Sequence, residues 1–178
     1  MQGSPWRPRL RTIRWWLSVM AALIFAYFGP KNFHRGSPLG PAPAELSGLG
    51  RVIDGDSLYV GGDEVRLKDI DAPEGRQTCR RGGADWACGD AARDQLRRLI
   101  GGDTVTCHSV ERDKHGRILA YCAARGRDLN REMVAAGFAV SFGGFGGEEA
   151  GAKRERRGIW GSEFERPQQW RHERGIGM

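Results

Sequence analysis

Val52-Ile53-Asp54-Gly55-Asp56-Ser57-Leu58-Tyr59-Val60-Gly61-Gly62-Asp63-Glu64-Val65-Arg66-Leu67-Lys68-Asp69-Ile70-Asp71-Ala72-Pro73-Glu74 reads as two short apolar, β-branched strands joined at Gly61-Gly62-Asp63, a composition that returns the chain as a hairpin. Acids collect at the open end. With a two- or three-residue turn Asp71 falls opposite residue 53 or 54, so Asp54, Asp56, Asp71 and Glu74 converge while Arg66 lies further along the opposing strand. Crowded carboxylates repel unless a cation neutralises them. A hard divalent ion bound through oxygen beside an arginine is what phosphodiester hydrolysis uses.

Outward from the hairpin, the spacing predicts further elements. Ala92, Leu96, Leu99 and Ile100 recur at helical intervals over Asp90 to Ile100, and Gly101-Gly102 stops that helix. Leu129 to Ala136 predicts a second helix with Asp128 as N-cap and Leu129, Met133 and Val134 facing the core. Glu148 to Arg157 predicts a third, closed by Gly158, whose basic run is a solvated face. Strands are expected around 50–60, 64–71, 104–111 and 117–123, the first bending at Gly55 or Ser57. Such an order suits a five-stranded OB-fold Greek-key β-barrel with about three α-helices, an α+β arrangement. Trp160 and Trp170 read as core or anchoring aromatics, and no internal repeat is apparent.

Charge bounds the function classes. The chain of 178 residues carries a formal net charge of +6, but the excess is concentrated at one end. Residues 1–50 hold Arg7, Arg9, Arg11, Arg14, Lys31 and Arg35 against Glu45 alone. The remainder is close to neutral, so most of the excess is not a nucleic-acid-binding patch and any attraction for phosphate is local. The N-terminal bias is a topology signal: Arg7 to Arg14 precede an apolar run from Trp15 to Phe28 that breaks at Gly29-Pro30. At ~1.5 Å per residue that run reaches roughly 21 Å, short of the ~30 Å hydrocarbon core without flanking residues. Length suits a cleaved signal; bulky Tyr27 and Phe28, with no small-x-small site close behind, suit an uncleaved anchor. These two leading readings deliver the domain to the periplasmic or extracellular side, membrane-anchored or secreted; a buried helix is the remaining reading of the run. Residues 1–30 are read as this segment, 31–49 as a linker rich in Pro and Gly, 50–170 as the domain and 171–178 as a C-terminal tail.

Cysteines offer an independent expectation of export. Cys107 and Cys122 end two β-like runs whose antiparallel pairing would bring the thiols together, and Cys79 and Cys88 bracket a glycine-rich loop. Two disulfides, Cys79–Cys88 and Cys107–Cys122, are expected over free buried thiols. Neither pair has the spacing of a zinc site.

Asp54-Gly55-Asp56-Ser57, Arg66-Leu67, Ile70-Asp71-Ala72-Pro73-Glu74 and Asp113-Lys114-His115-Gly116-Arg117 together resemble the thermonuclease family of staphylococcal-nuclease-like enzymes, over about residues 50 to 170. The resemblance implies the OB-fold and a Ca2+-dependent nuclease acting on DNA, RNA or both, cleaving the 5′ P–O bond to leave 3′-phosphates. It implies Asp56, Asp71 and the backbone carbonyl of Ala72 as metal ligands, and Glu74 as the base that orients or deprotonates water. Arg66 and Arg117 are expected to recognise phosphate through their planar forks, a role lysine's point charge would not fill. Asp54 is expected to support the ligands from behind. Lys114, His115 and Phe142 are expected to contact substrate. Ser57 and Ala72 stand where the family often has Thr and His115 where Tyr is common; Phe142 can stack on a base but has no hydroxyl. No obligate protein partner is inferred, and a monomer is expected. The competing readings are a non-catalytic nucleic-acid-binding OB module and a metal-stabilised periplasmic interaction domain; loss of acids or arginines would favour the former, and none is lost.

Overall fold

Gly61 and Gly62 both take positive φ, 61° and 99°, the left-handed pair that a two-residue hairpin turn demands and that side chains beyond glycine resist. In the computed structural model, which describes residues 40–176, this turn joins β2 (Ser57–Val60) to β3 (Asp63–Leu67), in register from Val60 opposite Asp63 to Ser57 opposite Arg66. Leu58, Val60, Val65 and Leu67 point inward and are buried. The alternation of the sequence thus becomes one wall of the core.

The first strand departs from expectation. Instead of one run bending at Gly55 or Ser57, β1 (Glu45–Val52) ends before the acids and pairs antiparallel with β2, Val52 opposite Leu58. Between them the Ile53 and Asp54 N–H groups both donate to the Ser57 carbonyl, at 2.9 and 3.3 Å. β1 also takes in residues 45–49, which the sequence assigns to the linker; the domain starts earlier because Glu45–Leu49 pair with Thr104–His108. Residues 1–39, with the apolar segment and most of the linker, lie outside the described residues. Among those described, no helix is long and apolar enough to cross a membrane.

After β3 the chain runs through β4 (Ile70–Asp71), β5 (Cys79–Arg81) and β6 (Ala84–Trp86) to α1 (Cys88–Ile100). Next come β7 (Thr104–Arg112), β8 (Ile118–Ala124), β9 (Arg127–Asp128), α2 (Leu129–Ala135), β10 (Val140–Ser141), α3 (Gly146–Arg154), a 3-10 turn at Gly158–Gly161, and α4 (Pro167–Glu173). The sheet order is β3-β2-β1-β7-β8, and β3 pairs with β8 in parallel, which closes a five-stranded barrel. This is the expected OB-type α+β fold, with one α-helix more than anticipated. α4 escapes the periodicity reading although Pro167 occupies its first turn, where a missing N–H costs nothing.

The helices support the site from below. Ala92, Leu96, Leu99 and Ile100 of α1 are buried as expected, and Gly101 (φ 62°) donates its N–H to the Arg97 carbonyl at 2.9 Å. Asp128 caps α2 by accepting from the Arg131 N–H. Buried Asn130 accepts from Cys122 N at 3.0 Å and donates to the carbonyls of Lys68 (2.9 Å) and Ala120 (3.1 Å), tying α2 to β8 and to the turn before β4. Both expected disulfides are formed: Cys107–Cys122 crosses directly opposed positions of β7 and β8, and Cys79–Cys88 joins β5 to the start of α1. Trp160 packs with Ile159, Val140 and that second disulfide in a smaller core of its own, and Trp170 is buried.

Candidate active site

The acids converge, but not by extending the β2–β3 ladder. β3 stops at Leu67, Asp69 adopts φ 63°, and the chain turns into β4, which pairs with β10 (Asp71 opposite Val140) rather than with residues 53 or 54. Tyr121 OH donates to Asp69 Oδ2 and so fixes this corner. Asp71 then arrives beside Asp56 from another direction. Arg66, directly across the hairpin from Ser57, sits between them rather than beyond them.

Asp56 and Asp71 are each 3% exposed. Arg66 Nη2 lies 3.0 Å from Asp56 Oδ2 and 2.8 Å from Asp71 Oδ1. Asp56 Oδ2 also accepts from the Ala72 N–H at 2.9 Å, and its Oδ1 from the Ser57 hydroxyl at 3.0 Å. Small residues permit this approach: a methyl group at Gly55 would fall 2.6 Å from the Ala72 Cβ and 2.8 Å from the Ala92 Cβ. The N–H of Asp56 donates to Asp54 Oδ1 at 3.1 Å, so Asp54 stands behind the pair.

Electrostatics follow from this crowding. Burial, then the charge of Asp56, pushes Asp54 up to about 7. Burial likewise raises Asp71, outweighing a hydrogen bond from Arg171. Arg66 loses proton affinity to burial but gains more from Asp56 and Asp71, and is held above its ordinary value. Two buried carboxylates facing a shared cation form a hard-oxygen donor set, which suits a hard divalent ion. Among the described residues no three His, Cys, Asp or Glu side chains gather closely enough to hold a metal alone. Backbone oxygen and water would therefore complete any coordination sphere.

Glu74 follows Pro73 on a loop fastened at two levels. Buried Gln77 accepts from the Glu74 N–H through Oε1 (3.2 Å), donates its own N–H to the Glu74 carbonyl (2.7 Å) and reaches the Glu165 carbonyl through Nε2 (2.6 Å). Gly89 of α1 lies directly beneath: an added Cβ would stand 1.8 Å from the Glu74 carbonyl oxygen. The carboxylate itself is held by Arg171, whose Nη1 is 2.7 Å from Glu74 Oε1 and 2.8 Å from Asp71 Oδ1, while Nη2 donates to Asp71 Oδ2 at 3.1 Å. Arg171 lies in the stretch that the sequence assigns to a C-terminal tail; the structure makes it part of α4 and of this cluster.

A cleft of about 930 Å³ opens over these groups. Arg117, Lys114, His115 and Phe142 line it together with Asp54, Arg66, Asp71 and Glu74, so those expected residues share one space. Arg117 is not bare. Its Nε and Nη2 both lie 2.7 Å from Asp113 Oδ2, and Asp113 Oδ1 accepts the N–H groups of His115 and Arg117. Burial raises the Asp113 carboxyl, but these bonds from Arg117 and the backbone bring it below the usual range. Sequence reading includes Asp113 in its motif but gives it no role; its spacing of four from Arg117 across a turn is the signal that could have shown the pairing. Phe142 is 60% exposed, a free ring at the rim.

On a closed OB-type barrel, buried Asp56 and Asp71 flank Arg66, and Arg66, Asp71, Glu74 and Arg117 line one cleft, with Asp56 beneath it. The family model described as staphylococcal nuclease homologue matches residues 64–162. Succinoglycan biosynthesis protein ExoI of Rhizobium meliloti (strain 1021) is 34% identical over 127 residues, covering 67% of this chain and 66% of that protein. An uncharacterized endonuclease of Escherichia coli is 33% identical over 134 residues (68% and 82%), and a micrococcal nuclease of Shigella flexneri 30% identical over 154 residues (74% and 83%). The chain belongs to the staphylococcal nuclease family.

Proposed function

We propose that this protein hydrolyses phosphodiester bonds of DNA, RNA or both in a Ca2+-dependent reaction that breaks the 5′ P–O bond and leaves 3′-phosphates. The observation that carries the reading is Arg66 bridging buried Asp56 and Asp71 at 3.0 and 2.8 Å, with Arg66 and Asp71 lining the same cleft as Glu74 and Arg117. Asp56, Asp71 and the Ala72 carbonyl would hold the ion, which supplies Lewis-acid polarisation of a phosphoryl oxygen when bound. Glu74 directs a water at phosphorus, its carboxylate orientation set before substrate arrives. Arg66 and Arg117 offer planar donors that strengthen as charge builds on the phosphoryl oxygens. Lys114 and His115 meet the flanking backbone, and Phe142 stacks on a base. The apolar segment at Trp15–Phe28 after four arginines, with two disulfides in the domain, supports action outside the cytoplasmic membrane.

The test is cleavage of labelled single- and double-stranded DNA and RNA by the purified full chain, in Ca2+ and in chelator, with end-group analysis. Cleavage in Ca2+ that leaves 3′-phosphates and is lost in Glu74→Gln supports the reading. Calcium-dependent melting without cleavage would replace it by a metal-stabilised interaction domain.

A further inference from the structure

We infer that Arg171 is a positioning residue of the phosphodiester reaction, setting the Glu74 carboxylate against Asp71 so that base and metal ligand keep one geometry. The inference rests on the function proposed above and extends the site to the last helix. One guanidinium spans both groups: Nη1 is shared between Asp71 Oδ1 (2.8 Å) and Glu74 Oε1 (2.7 Å), and Nη2 takes Asp71 Oδ2 (3.1 Å). A planar fork can hold two carboxylates in a fixed relative orientation, which a single ammonium cannot do. Glu74 Oε1 is the oxygen engaged, and the hydrogen bonds of Gln77 fix only its backbone.

Burial sets this pair apart from a surface ion pair. Asp71 has a side chain 4% exposed and Arg171 one of 23%, so removing Arg171 takes both of its hydrogen bonds from a buried carboxylate and leaves that carboxylate to Arg66 alone. The helix that carries Arg171 is fastened independently of the site. Trp170 and Pro167 are buried, and the Arg174 guanidinium stacks on Trp170 at 4.5 Å while pairing with Glu165 at 3.3 Å. α4 is therefore a fixed strut from which one side chain reaches the reacting groups.

A double-mutant cycle on the full chain tests this. Arg171→Ala should lower kcat by about thirtyfold or more, the scale expected when a base shifts by a fraction of an ångström to 1 Å, with KM within about threefold. Arg171→Lys, which keeps a charge beside Asp71 and so protects folding, should not recover kcat. In a Glu74→Gln background, Arg171→Ala should cost less than about threefold, because the group it positions is gone. Thermal melts in chelator give a readout free of turnover, and there too the Arg171→Ala and Glu74→Gln effects should be non-additive. Gln169→Ala, exposed on the same helix and bonded only to Glu173, should leave kcat unchanged. Additive losses in both readouts, rescue by lysine, or a loss confined to KM would overturn the role. Absence of Ca2+-dependent cleavage by the wild-type protein would refute the proposed function instead, and the chelator melts would still report whether Arg171 and Glu74 are coupled.

Discussion

Gly89→Ala is the substitution that most directly probes how the fold holds the site. Position 89 is in the first turn of α1, and an added methyl carbon would stand 1.8 Å from the Glu74 carbonyl oxygen and 2.8 Å from its carbonyl carbon. Nonbonded heavy atoms settle near 3.5 Å, so α1 and the Glu74 loop must part by about 1.7 Å. Neither side yields easily: Cys88 is bonded to Cys79, and Gly89 N–H donates to the Gln77 carbonyl at 3.1 Å. Overpacking of this kind costs roughly 1–3 kcal/mol, whereas alanine in a helix gains at most about 1 kcal/mol over glycine, so the steric term wins. A loss near 2 kcal/mol lowers Tm by about 4–8 °C in a domain of this size. Activity should fall further, because a 1 Å displacement of Glu74, the base proposed above, costs about a hundredfold. Differential scanning calorimetry with single-turnover cleavage measures both. A variant with wild-type kcat and an unchanged or higher Tm would refute the view that close packing of α1 against residue 74 positions the base.

Arg117→Lys should lower kcat/KM at least tenfold, about 1.4 kcal/mol of transition-state stabilisation, since lysine lacks the fork; initial rates at subsaturating substrate decide it, and full activity would reduce Arg117 to a nonspecific charge. In chelator, stability should fall as pH rises from about 4 to 7, because folded Asp54 keeps its proton up to about 7 while the unfolded residue has lost it. Asp113, held below the ordinary range, acts outside that window. Urea titrations of wild type and Asp54→Asn check the sign, and an unchanged slope in the variant would remove Asp54 as the source. Reduction of Cys79–Cys88 and Cys107–Cys122 should cost about 2–5 kcal/mol and lower Tm; nonreducing peptide maps of protein from its native compartment should recover both pairs, and four free thiols would contradict the export reading.

What the sequence made legible was local. The hairpin announces itself through alternation and Gly61-Gly62, and α1 through its period, because both signals lie within a dozen residues. The convergence of the acids was legible, but its route was not: Asp69 at positive φ redirects the chain before the ladder could carry Asp71 opposite residue 54. Nothing in the residue type announces that corner, which Tyr121 fixes from another strand. β1 begins early for a similar reason, since Leu46 is the one buried side chain among residues 45–49 and the pairing that recruits them comes from β7. Arg171 meets Asp71 across 100 positions. Such a contact follows from barrel closure and the docking of α4, and leaves no spacing to read.

The Cys107–Cys122 bond has one more consequence. It closes the β7–β8 hairpin into a covalent ring whose tip, Asp113 to Arg117, carries an arginine of the cleft and a lysine at residue 114. Loop tips are where proteases cut first. A single scission anywhere between the two cysteines leaves the two fragments of the chain covalently joined at the base of the hairpin, where an unbridged loop would leave them held only by noncovalent contacts. Durability against peptidases is thus built into the same segment that lines the cleft.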